Sequence, residues 1–359
     1  MPYNTTYPFD LPLLPPKIDA FEADIARLLI EARCELAELN GYSHGMPNPM
    51  LLLSPAILRE SVASSSIENI NTTVAEVLQA QLFPEVERPE SNKEVLRYRE
   101  AVFEGYEMVK KLPVSLRVIN RIHDTLTPDD SSGIRKVQNK IINTSSGEAI
   151  YTPPSASQIP NLLSNWVNFV NDETIGLDPL LKTAIAHYQF EAIHPFLDGN
   201  GRTGRILMVL MLSHYKILDL PILFISGYID KNRSEYYRLL QEVTVCGNWK
   251  AYLIFMTRGF QEQGKNTKQL LFQVMDLFEK TKSTVREKHK KVYSSDLIEC
   301  LFSYPIITPA KLAELIGVHR DTATRYLNAL RDGSILQDAI VGKYHLFMNK
   351  KLLTIINKA

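Results

Sequence analysis

A stretch from His194 to Arg205 combines the residue types that bind a phosphate and move a proton. Gly199 and Gly201 permit tight backbone turns, which can direct successive N–H groups into one concavity that suits an anion. The sequence then becomes apolar, as a buried helix does, and the N-terminus of that helix would present its unpaired N–H groups to the same anion. The stretch is therefore typical of a nucleotide-transfer site.

The charged side chains of this stretch fit the same chemistry. Arg202 and Arg205 are three residues apart, so they lie on nearly one face of the first helical turn and can both bind phosphate oxygens. Asp198 is placed to hold a divalent cation that the phosphates would also ligate. His194 lies just outside the glycine loop, where a general base would stand.

Two other phosphate-binding patterns overlap the stretch. Gly199-x-Gly201-x-x-Gly204, with Asp219 downstream, matches the dinucleotide fingerprint, but that fingerprint follows a strand and the residues upstream here have helical spacing. The glycine spacing also matches a Walker A loop. The next residues are Arg205 and Ile206 instead of Lys and Ser or Thr, so neither pattern explains the stretch.

As a whole, the stretch resembles the Fic-family motif, His-x-Phe-x-(Asp/Glu)-Gly-Asn-Gly-Arg-x-x-Arg, at every fixed position. The resemblance implies a mainly α fold, with a Fic-type helical core, a β-hairpin flap and a small winged helix-turn-helix domain. It implies a protein adenylyltransferase, which transfers AMP from ATP to a Ser, Thr or Tyr hydroxyl of a protein, itself included, and releases pyrophosphate. ATP would be the substrate and Mg²⁺ the metal.

The resemblance also implies a role for each motif residue. His194 would be the base, Phe196 the anchor in the core and Asp198 the Mg²⁺ ligand. Two tyrosines further on resemble the residues that wall the nucleoside in the family, although packing in the core is nearly as good an explanation for them. The residues implied to bind ATP are Gly199, Asn200, Gly201, Arg202, Gly204, Arg205, Tyr236 and Tyr237.

A serine-rich segment upstream suggests inhibition. By itself, Ser64-x-x-x-Glu68-Asn69 is typical of a helix cap with a solvated glutamate. In a chain with the Fic-type stretch it resembles the family's inhibitory helix, at about 61–70. Arg205 must be free to bind the γ-phosphate, and the Glu68 carboxylate would compete for it as a bidentate partner. Some relatives use this glutamate to remove AMP, and the sequence leaves that alternative open.

Residues 134–154 predict a β-hairpin, because two apolar runs flank Thr144-Ser145-Ser146-Gly147. The hairpin resembles the family's flap, which pairs with the target chain by β-augmentation. An ordinary surface hairpin is the alternative. The flap residues expected to bind the target are Ile150, Tyr151 and Thr152.

The C-terminal region predicts a helix up to Gly317, a second helix from Val318 to Leu330, and two strands around Gly342. This order resembles a winged helix-turn-helix. Residues 283–359 contain 12 Lys and Arg against 7 Asp and Glu, so DNA binding and protein docking both stay open. The residues expected at the start of the recognition helix are His319, Arg320, Thr322, Thr324 and Arg325.

The remaining elements place these sites along the chain. An extended, proline-spaced arm over residues 1–20 precedes a helix over 21–39, and Ser54-Pro55 signals the start of another. His123 is expected to be structural, because no chemical residue flanks it. The predicted domains are 1–110 with the inhibitory helix, a catalytic core at 111–278, a charged linker at 279–291, and the winged helix at 292–359.

Composition indicates a soluble protein. Lys plus Arg and Asp plus Glu are equal at 40 each, so no overall charge draws the chain to nucleic acid or to a membrane. Cys34, Cys246 and Cys300 are widely spaced, which favours reduced thiols and a cytoplasmic location. No signal segment and no apolar run of membrane-spanning length is expected.

Other functions stay open at this point: Fic-fold transfer of another phosphate-containing group, or a DNA-bound regulator that senses nucleotide. The target protein and a homodimer are not decided by the sequence.

Overall fold

A computed structural model describes residues 4–18, 22–45, 48–129, 133–142 and 146–358, and it is mainly helical, as predicted. The helices are α1 (Ala23–His44), α2 (Pro49–Ile67), α3 (Val74–Ala80), α4 (Glu90–Val109), α5 (Leu116–Leu126), α6 (Ile159–Asn171), α7 (Pro179–Ile193), α8 (Asn200–His214), α9 (Ile225–Lys231), α10 (Arg233–Cys246), α11 (Trp249–Lys288), α12 (Ser295–Ser303), α13 (Pro309–Ile316), α14 (Arg320–Asp332) and α15 (Lys350–Lys358). The strands are β1 (Ile141–Ile142), β2 (Ala149–Tyr151), β3 (Ile306–Ile307), β4 (Gln337–Val341) and β5 (Tyr344–Met348).

Helices α7 and α8 form the centre of the core. Both are buried on nearly every face, as expected of helices that are apolar all round, and they pack against each other. Trp166 of α6 donates to the backbone O of Ala186 at 2.7 Å, and Tyr252 of α11 donates to that of Ala184 at 3.0 Å. These contacts fix α7, so the segment that joins α7 to α8 is held at both ends.

Helix α2 packs against α4 and α9 of the core and against α12 of the C-terminal region. It begins at Pro49, after Asn48, and not at the predicted Ser54-Pro55. Asn48-Pro49 and Ser54-Pro55 can each place a proline in the first turn of a helix, and α2 begins at the earlier of the two. The last turn of α2 brings buried Ser64 to the N-terminus of α8.

The predicted hairpin is present. β1 and β2 are antiparallel, with Ile141 opposite Tyr151 and Ile142 opposite Ala149. Of the predicted turn over 144–147, residues 144 and 145 lie outside the described residues. A two-stranded hairpin is marginal by itself, and this one leans on the core because Tyr151 donates to the backbone O of Ala192 at 2.8 Å.

The N-terminal arm runs beside the hairpin. The N–H of Phe9 donates to the backbone O of Thr152 at 2.9 Å, and the Thr152 hydroxyl donates to the backbone O of Thr5 at 2.6 Å. The rings of Phe9 and Tyr151 lie 5.9 Å apart. Thr152, the residue after β2, is therefore occupied by the chain's own arm.

Two predicted helix ends are wrong. α1 continues past Asn40-Gly41 to His44, where buried Ser43 extends its packed face. α11 continues past Phe278 to Lys288, because Thr281 and Val285 keep one face of the charged run buried. Most of the interval predicted as a linker is therefore helix, while the division into domains stays a prediction.

The C-terminal elements occur in the order predicted from the sequence. Gly317, at φ +66°, joins α13 to α14, and the three-stranded sheet has the order β3–β5–β4. α14 begins at Arg320, with His319 as its N-cap, two residues later than predicted.

The β4–β5 hairpin contacts the segment that follows α3. Tyr344 stacks on Phe83 with ring centroids 4.5 Å apart, and its hydroxyl donates to Glu87 at 2.9 Å. Lys343 also donates to Glu87, at 2.7 Å. Within the described part of the chain, no helix has the length and apolar character that crossing a membrane requires.

Candidate active site

The glycine-rich segment reverses the chain between α7 and α8. His194 caps α7 in the left-handed region at φ +49°, and Gly199 precedes α8 at φ +75°. A Cβ on Gly199 would be strained by this φ and would lie 3.1 Å from Thr127 Cγ2. The first N–H groups of α8 have no acceptor within the helix, so they point out of its N-terminus as the sequence predicts.

Asn200 closes this segment on itself. Its Nδ2 donates to the backbone O of Phe196 at 2.9 Å, and the N–H of Phe196 donates to its Oδ1 at 2.8 Å. Phe196 is fully buried, in agreement with its expected role as an anchor. The Asn200 side chain therefore shapes the loop, and the anion-binding groups it supplies are backbone N–H groups.

His123 has a larger part than predicted. Its ring stacks on Phe196, with centroids 3.7 Å apart, and its Nε2 lies 3.1 Å from the backbone O of Asp198. His123 is structural, but what it supports is the loop of the site. Sequence spacing gives no signal for this contact, because α5 precedes the loop by more than seventy residues.

His194 is half-buried at the edge of the loop. Desolvation lowers the pKa of His194 to about 4, so its imidazole is neutral at pH 7. Nδ1 lies 3.4 Å from the backbone O of Glu191, which favours the tautomer with the proton on Nδ1. Nε2 then has a free lone pair and can accept a proton.

Arg135 links the loop to the hairpin, and sequence reasoning missed it. Its buried guanidinium donates to the backbone O of His194 at 2.9 Å, of Val137 at 3.0 Å and of Pro154 at 2.6 Å. Its own N–H donates to the backbone O of Pro195 at 2.8 Å. An arginine just after a predicted turn looks exposed in the sequence, and only the fold shows that it is buried.

Arg205 is 2 % exposed and is bound by the end of α2. Its Nε donates to Ser64 Oγ at 2.8 Å, and its Nη2 donates to Ser64 O at 2.9 Å and to Glu68 Oε1 at 2.8 Å. The structure thus brings together the three residues that the sequence paired. Burial favours the neutral form of Glu68, but the charge and hydrogen bond of Arg205 outweigh it and hold the pKa of Glu68 below its usual value.

The Glu68 carboxylate covers the start of α8. A Cβ built on Gly201 would overlap Glu68 Oε1, so only glycine leaves room for the carboxylate there. Asn69 follows in the left-handed region at φ +64°, a conformation that asparagine adopts more readily than most residues other than glycine. A carboxylate therefore lies where the sequence predicts that an anion binds.

Arg233, at the start of α10, also holds the end of α2. Its Nη2 donates to the backbone O of Ser66 at 2.9 Å, and it pairs with Asp230. No sequence pattern connects Arg233 with the serine-rich segment.

Arg202 and Asp198 lie on the other side of the α8 N-terminus. Arg202 is buried and donates to Glu94 at 2.7 Å and to Asp198 at 3.2 Å. The Asp198 side chain is 75 % exposed. The described residues contain no cluster of three or more metal-ligating side chains. One accessible carboxylate beside a phosphate site nevertheless suits Mg²⁺, which is often held by one carboxylate, substrate phosphates and water.

A cleft of about 530 Å³ lies between the hairpin, α7 and α10. Ile150, Tyr151 and Tyr237 line it. Tyr236 does not line it: Tyr236 is buried, and its hydroxyl lies 2.7 Å from His187 Nε2, so it has the core packing that the sequence left open as an alternative. Successive residues of a helix point about 100° apart, so only one of the pair can face the cleft.

Three protein-family models match the chain. They are described as "Fic/DOC family N-terminal" over residues 26–107, "Fic/DOC family" over 113–212, and "Protein adenylyltransferase SoFic-like, C-terminal domain" over 277–352. The second of these contains His194 to Arg205, and the first contains Ser64 and Glu68.

Similar curated proteins carry related names. A probable protein adenylyltransferase of Aquifex aeolicus is 27% identical over 274 residues, which are 75% of this chain and 78% of the relative. Protein adenylyltransferase fic-1 of Caenorhabditis elegans is 34% identical over 111 residues, which are 30% of this chain and 20% of the relative. The chain thus spans about a fifth of the length of the nematode relatives.

Solved structures share the fold. A Fic family protein from Desulfovibrio desulfuricans G20 has a TM-score of 0.62 at 20% identity and covers 93% of this chain and 98% of its own. Fic-1 from C. elegans has a TM-score of 0.53 at 19% identity, over 70% of this chain and 74% of that one.

Proposed function

This chain belongs to the Fic/DOC family, and on that premise we propose that it is a protein adenylyltransferase inhibited by its own Glu68. It transfers AMP from ATP to a Ser, Thr or Tyr hydroxyl of a protein, and its own hydroxyls are included among the targets. The observation that carries the proposal is the Glu68 carboxylate bound to Arg205 above Gly201.

The chemistry follows from the positions of the motif residues. ATP places its phosphates at the N-terminus of α8, where backbone N–H groups and the helix dipole stabilise negative charge. Nε2 of His194 takes the proton from the target hydroxyl. The hydroxyl oxygen forms a bond to the α-phosphorus, the bond from that phosphorus to the bridging oxygen breaks, and pyrophosphate leaves.

The cations of the site stabilise the leaving group. Arg205 binds the γ-phosphate and Arg202 the β-phosphate, with a geometry that suits two phosphate oxygens each. Asp198 would hold Mg²⁺, which neutralises phosphate charge when bound.

Inhibition follows because two anions need the same guanidinium. With Glu68 in place, Nη2 of Arg205 is committed to α2 and the γ-phosphate is displaced. ATP then binds with its α-phosphorus out of line for attack by the hydroxyl.

The hairpin is the proposed contact for the target. An extended segment of the target pairs with β2 by β-augmentation, which sets its hydroxyl against His194. The side chains of Ile142 and Ile150 are 52% and 42% exposed, so an apolar target residue can cover them.

The alternatives lack a comparable observation. A DNA-bound sensor needs a free wing, but the β4–β5 hairpin is bound to Glu87 through Lys343 and Tyr344.

The proposal is tested with wild type, Glu68→Gly, and Glu68→Gly with His194→Ala, each incubated with Mg²⁺ and ATP labelled at the α- or the γ-phosphate. Loss of one charged hydrogen bond to Arg205 predicts that Glu68→Gly raises α-label incorporation about 10- to 100-fold. His194→Ala is expected to abolish it.

The other outcomes separate the alternatives. Equal incorporation by wild type and Glu68→Gly removes the inhibitory role. Label from the γ-phosphate indicates transfer of a bare phosphate, and loss of pre-attached label in wild type indicates AMP removal. No label with either nucleotide favours a sensor.

A further inference from the structure

Glu191 is the acidic residue among the described side chains that line the cleft. It lies on α7, three residues before His194, and its side chain is 16% exposed. A Cβ on Gly204 would overlap its Oε1, so the carboxyl packs directly on the first turns of α8. It therefore lies where the phosphate site and the cleft meet.

The Glu191 carboxyl is poorly satisfied by the protein. Its Oε1 is buried and has no hydrogen-bond partner among the residues the structure describes. The His187 ring nitrogen Nδ1 lies 3.9 Å away, too far for a hydrogen bond. Buried polar atoms are nearly always paired, so this oxygen calls for a partner that the folded chain does not supply.

Neighbouring polar side chains of the cleft are already engaged. The hydroxyls of Tyr188 and Thr244 lie 2.9 Å apart, and Thr244 also donates to the backbone O of Leu240. Arg238 pairs with Glu235 and Glu242 on the surface of α10. Glu191 thus remains as an acceptor at the inner end of the cleft.

The cleft has the size and character of a nucleoside site. Its walls are formed largely by aliphatic and aromatic side chains, and a volume of about 530 Å³ is ample for a base and a sugar. A nucleotide with its phosphates on α8 must pass its nucleoside over Glu191 to enter. Nucleosides carry O–H and N–H donors, and the Glu191 side chain is a carboxyl acceptor on the wall of the cleft.

We propose that Glu191 is a specificity residue that accepts a hydrogen bond from the nucleoside of the donor nucleotide. The inference rests on the proposed function, since it takes the donor to be ATP. Its chemical content is narrower: one O–H or N–H group of the nucleoside is recognised by one carboxyl. Burial also raises the pKa of Glu191 to about 7, and the nearby charge of Arg205 only partly offsets this effect.

The test uses the full-length Glu68→Gly protein and three further changes on it. Glu191→Met removes the acceptor at similar length, Glu191→Gln keeps an acceptor oxygen, and Glu107→Gln on the exposed side of α4 is the matched control. The values of kcat/KM are measured for ATP, 2′-deoxy-ATP, 3′-deoxy-ATP and purine riboside triphosphate, which lacks the 6-amino group. Circular dichroism and melting temperature verify that each variant is folded.

The expected result is a selective loss. One analogue, the one without the recognised donor, is about 10- to 100-fold worse than ATP in the parent protein. Glu191→Met lowers kcat/KM for ATP by the same factor, mainly by raising KM, and does not lower kcat/KM for that analogue further. Glu191→Gln recovers part of the loss for ATP.

Two results overturn the inference. In the first, Glu191→Met lowers kcat/KM equally for all four nucleotides. In the second, it leaves kcat/KM for ATP unchanged. If the parent Glu68→Gly protein still transfers AMP from ATP in these cases, the inference about Glu191 fails and the proposed function stands. Calorimetry with the same nucleotides on the His194→Ala form measures binding without turnover, and absence of binding by all four overturns both.

Discussion

Arg205 shows why the resting site contains a carboxylate. A guanidinium that is 2 % exposed needs an anionic partner, because an unpaired buried charge is strongly destabilising. Glu68 supplies that charge, while the Ser64 hydroxyl and carbonyl take up other N–H groups. In the proposed mechanism the γ-phosphate of a nucleotide replaces the carboxylate but not the serine, so activation requires Glu68, the residue that caps α2, to move.

The neutral state of His194 leads to a pH prediction. A base works when unprotonated, and desolvation lowers the pKa of His194 to about 4, so the working form persists well below pH 6.5. For the Glu68→Gly variant, kcat is expected to stay level with respect to this group down to about pH 5 and to fall near pH 4. Stopped transfer assays between pH 4 and 8 provide the profile.

Glu191→Gln on the same background is the control for that profile, because it removes a carboxyl three residues from His194 whose pKa burial raises to about 7. Circular dichroism at each pH separates loss of activity from loss of fold. An acid limb centred at pH 6.5 in both proteins would show that the imidazole is solvated and contradict the prediction.

Sequence reasoning found the residues of the site that are neighbours in the chain, and one distant pair. His194 to Arg205 could be predicted because loop, helix start and charges are consecutive, and Glu68 because its motif is known. His123, Arg135 and Glu191 could not, since their roles depend on buried contacts that residue type does not reveal. The sequence did not distinguish Tyr236 from Tyr237, because it does not settle which face of α10 points at the cleft.

At the scale of elements, the end of α2 is the part of the site that the proposed mechanism displaces. Two guanidiniums, from Arg205 on α8 and Arg233 on α10, bind its last carbonyls. Cations at a helix C-terminus are favoured by the helix dipole, so both contacts stabilise the position that delivers Glu68. Of the two, Arg233 holds the helix without belonging to the glycine motif.

Arg233→Ala is therefore expected to release α2 in part. In the otherwise wild-type protein, loss of one hydrogen bond of about 1 kcal/mol predicts an increase of about fivefold in AMP incorporation. In the Glu68→Gly background no increase is expected, because the carboxylate is already gone. Transfer from α-labelled ATP is measured in both backgrounds.

Arg258→Ala, at an exposed arginine of α11, serves as the matched control and should change neither rate. A decrease with Arg233→Ala in both backgrounds would mean that Arg233 serves catalysis directly and not the position of α2.

The existence of the helices was easier to predict than their ends. α1 and α11 both run past residues that usually end helices or mark linkers, because packing continues on one face. Tertiary contact overrides local preference at such places. The charged run at 279–288 illustrates this: buried Thr281 and Val285 are too sparse to stand out among its lysines.

At the scale of the molecule, several contacts join the C-terminal elements to the rest of the chain. α11 packs on α1 and α7 at its beginning and on α12 and α15 at its end, while the β4–β5 hairpin holds Glu87. α12 also packs on α2. The helix that carries Glu68 is therefore in contact with both parts.

Tyr344→Ala tests the contact between the β4–β5 hairpin and the segment that follows α3. Loss of the stack on Phe83 is expected to lower the free energy of unfolding by about 1 kcal/mol, with Tyr344→Phe, which keeps the ring and removes the hydroxyl, much closer to wild type. Urea unfolding followed by far-UV circular dichroism measures the difference. Equal stability of Tyr344→Ala and wild type would show that the hairpin is not held there.

The hydrogen bonds between the N-terminal arm and Thr152 limit the length of target strand that can pair with the hairpin in the proposed β-augmentation. A target strand that pairs along β2 finds the backbone of Thr152 already hydrogen-bonded to the N-terminal arm. Its pairing must either end at Thr152 or displace the arm. Short extended segments in loops of the target can pair with β2 without displacing the arm, whereas longer continuous strands must compete with it.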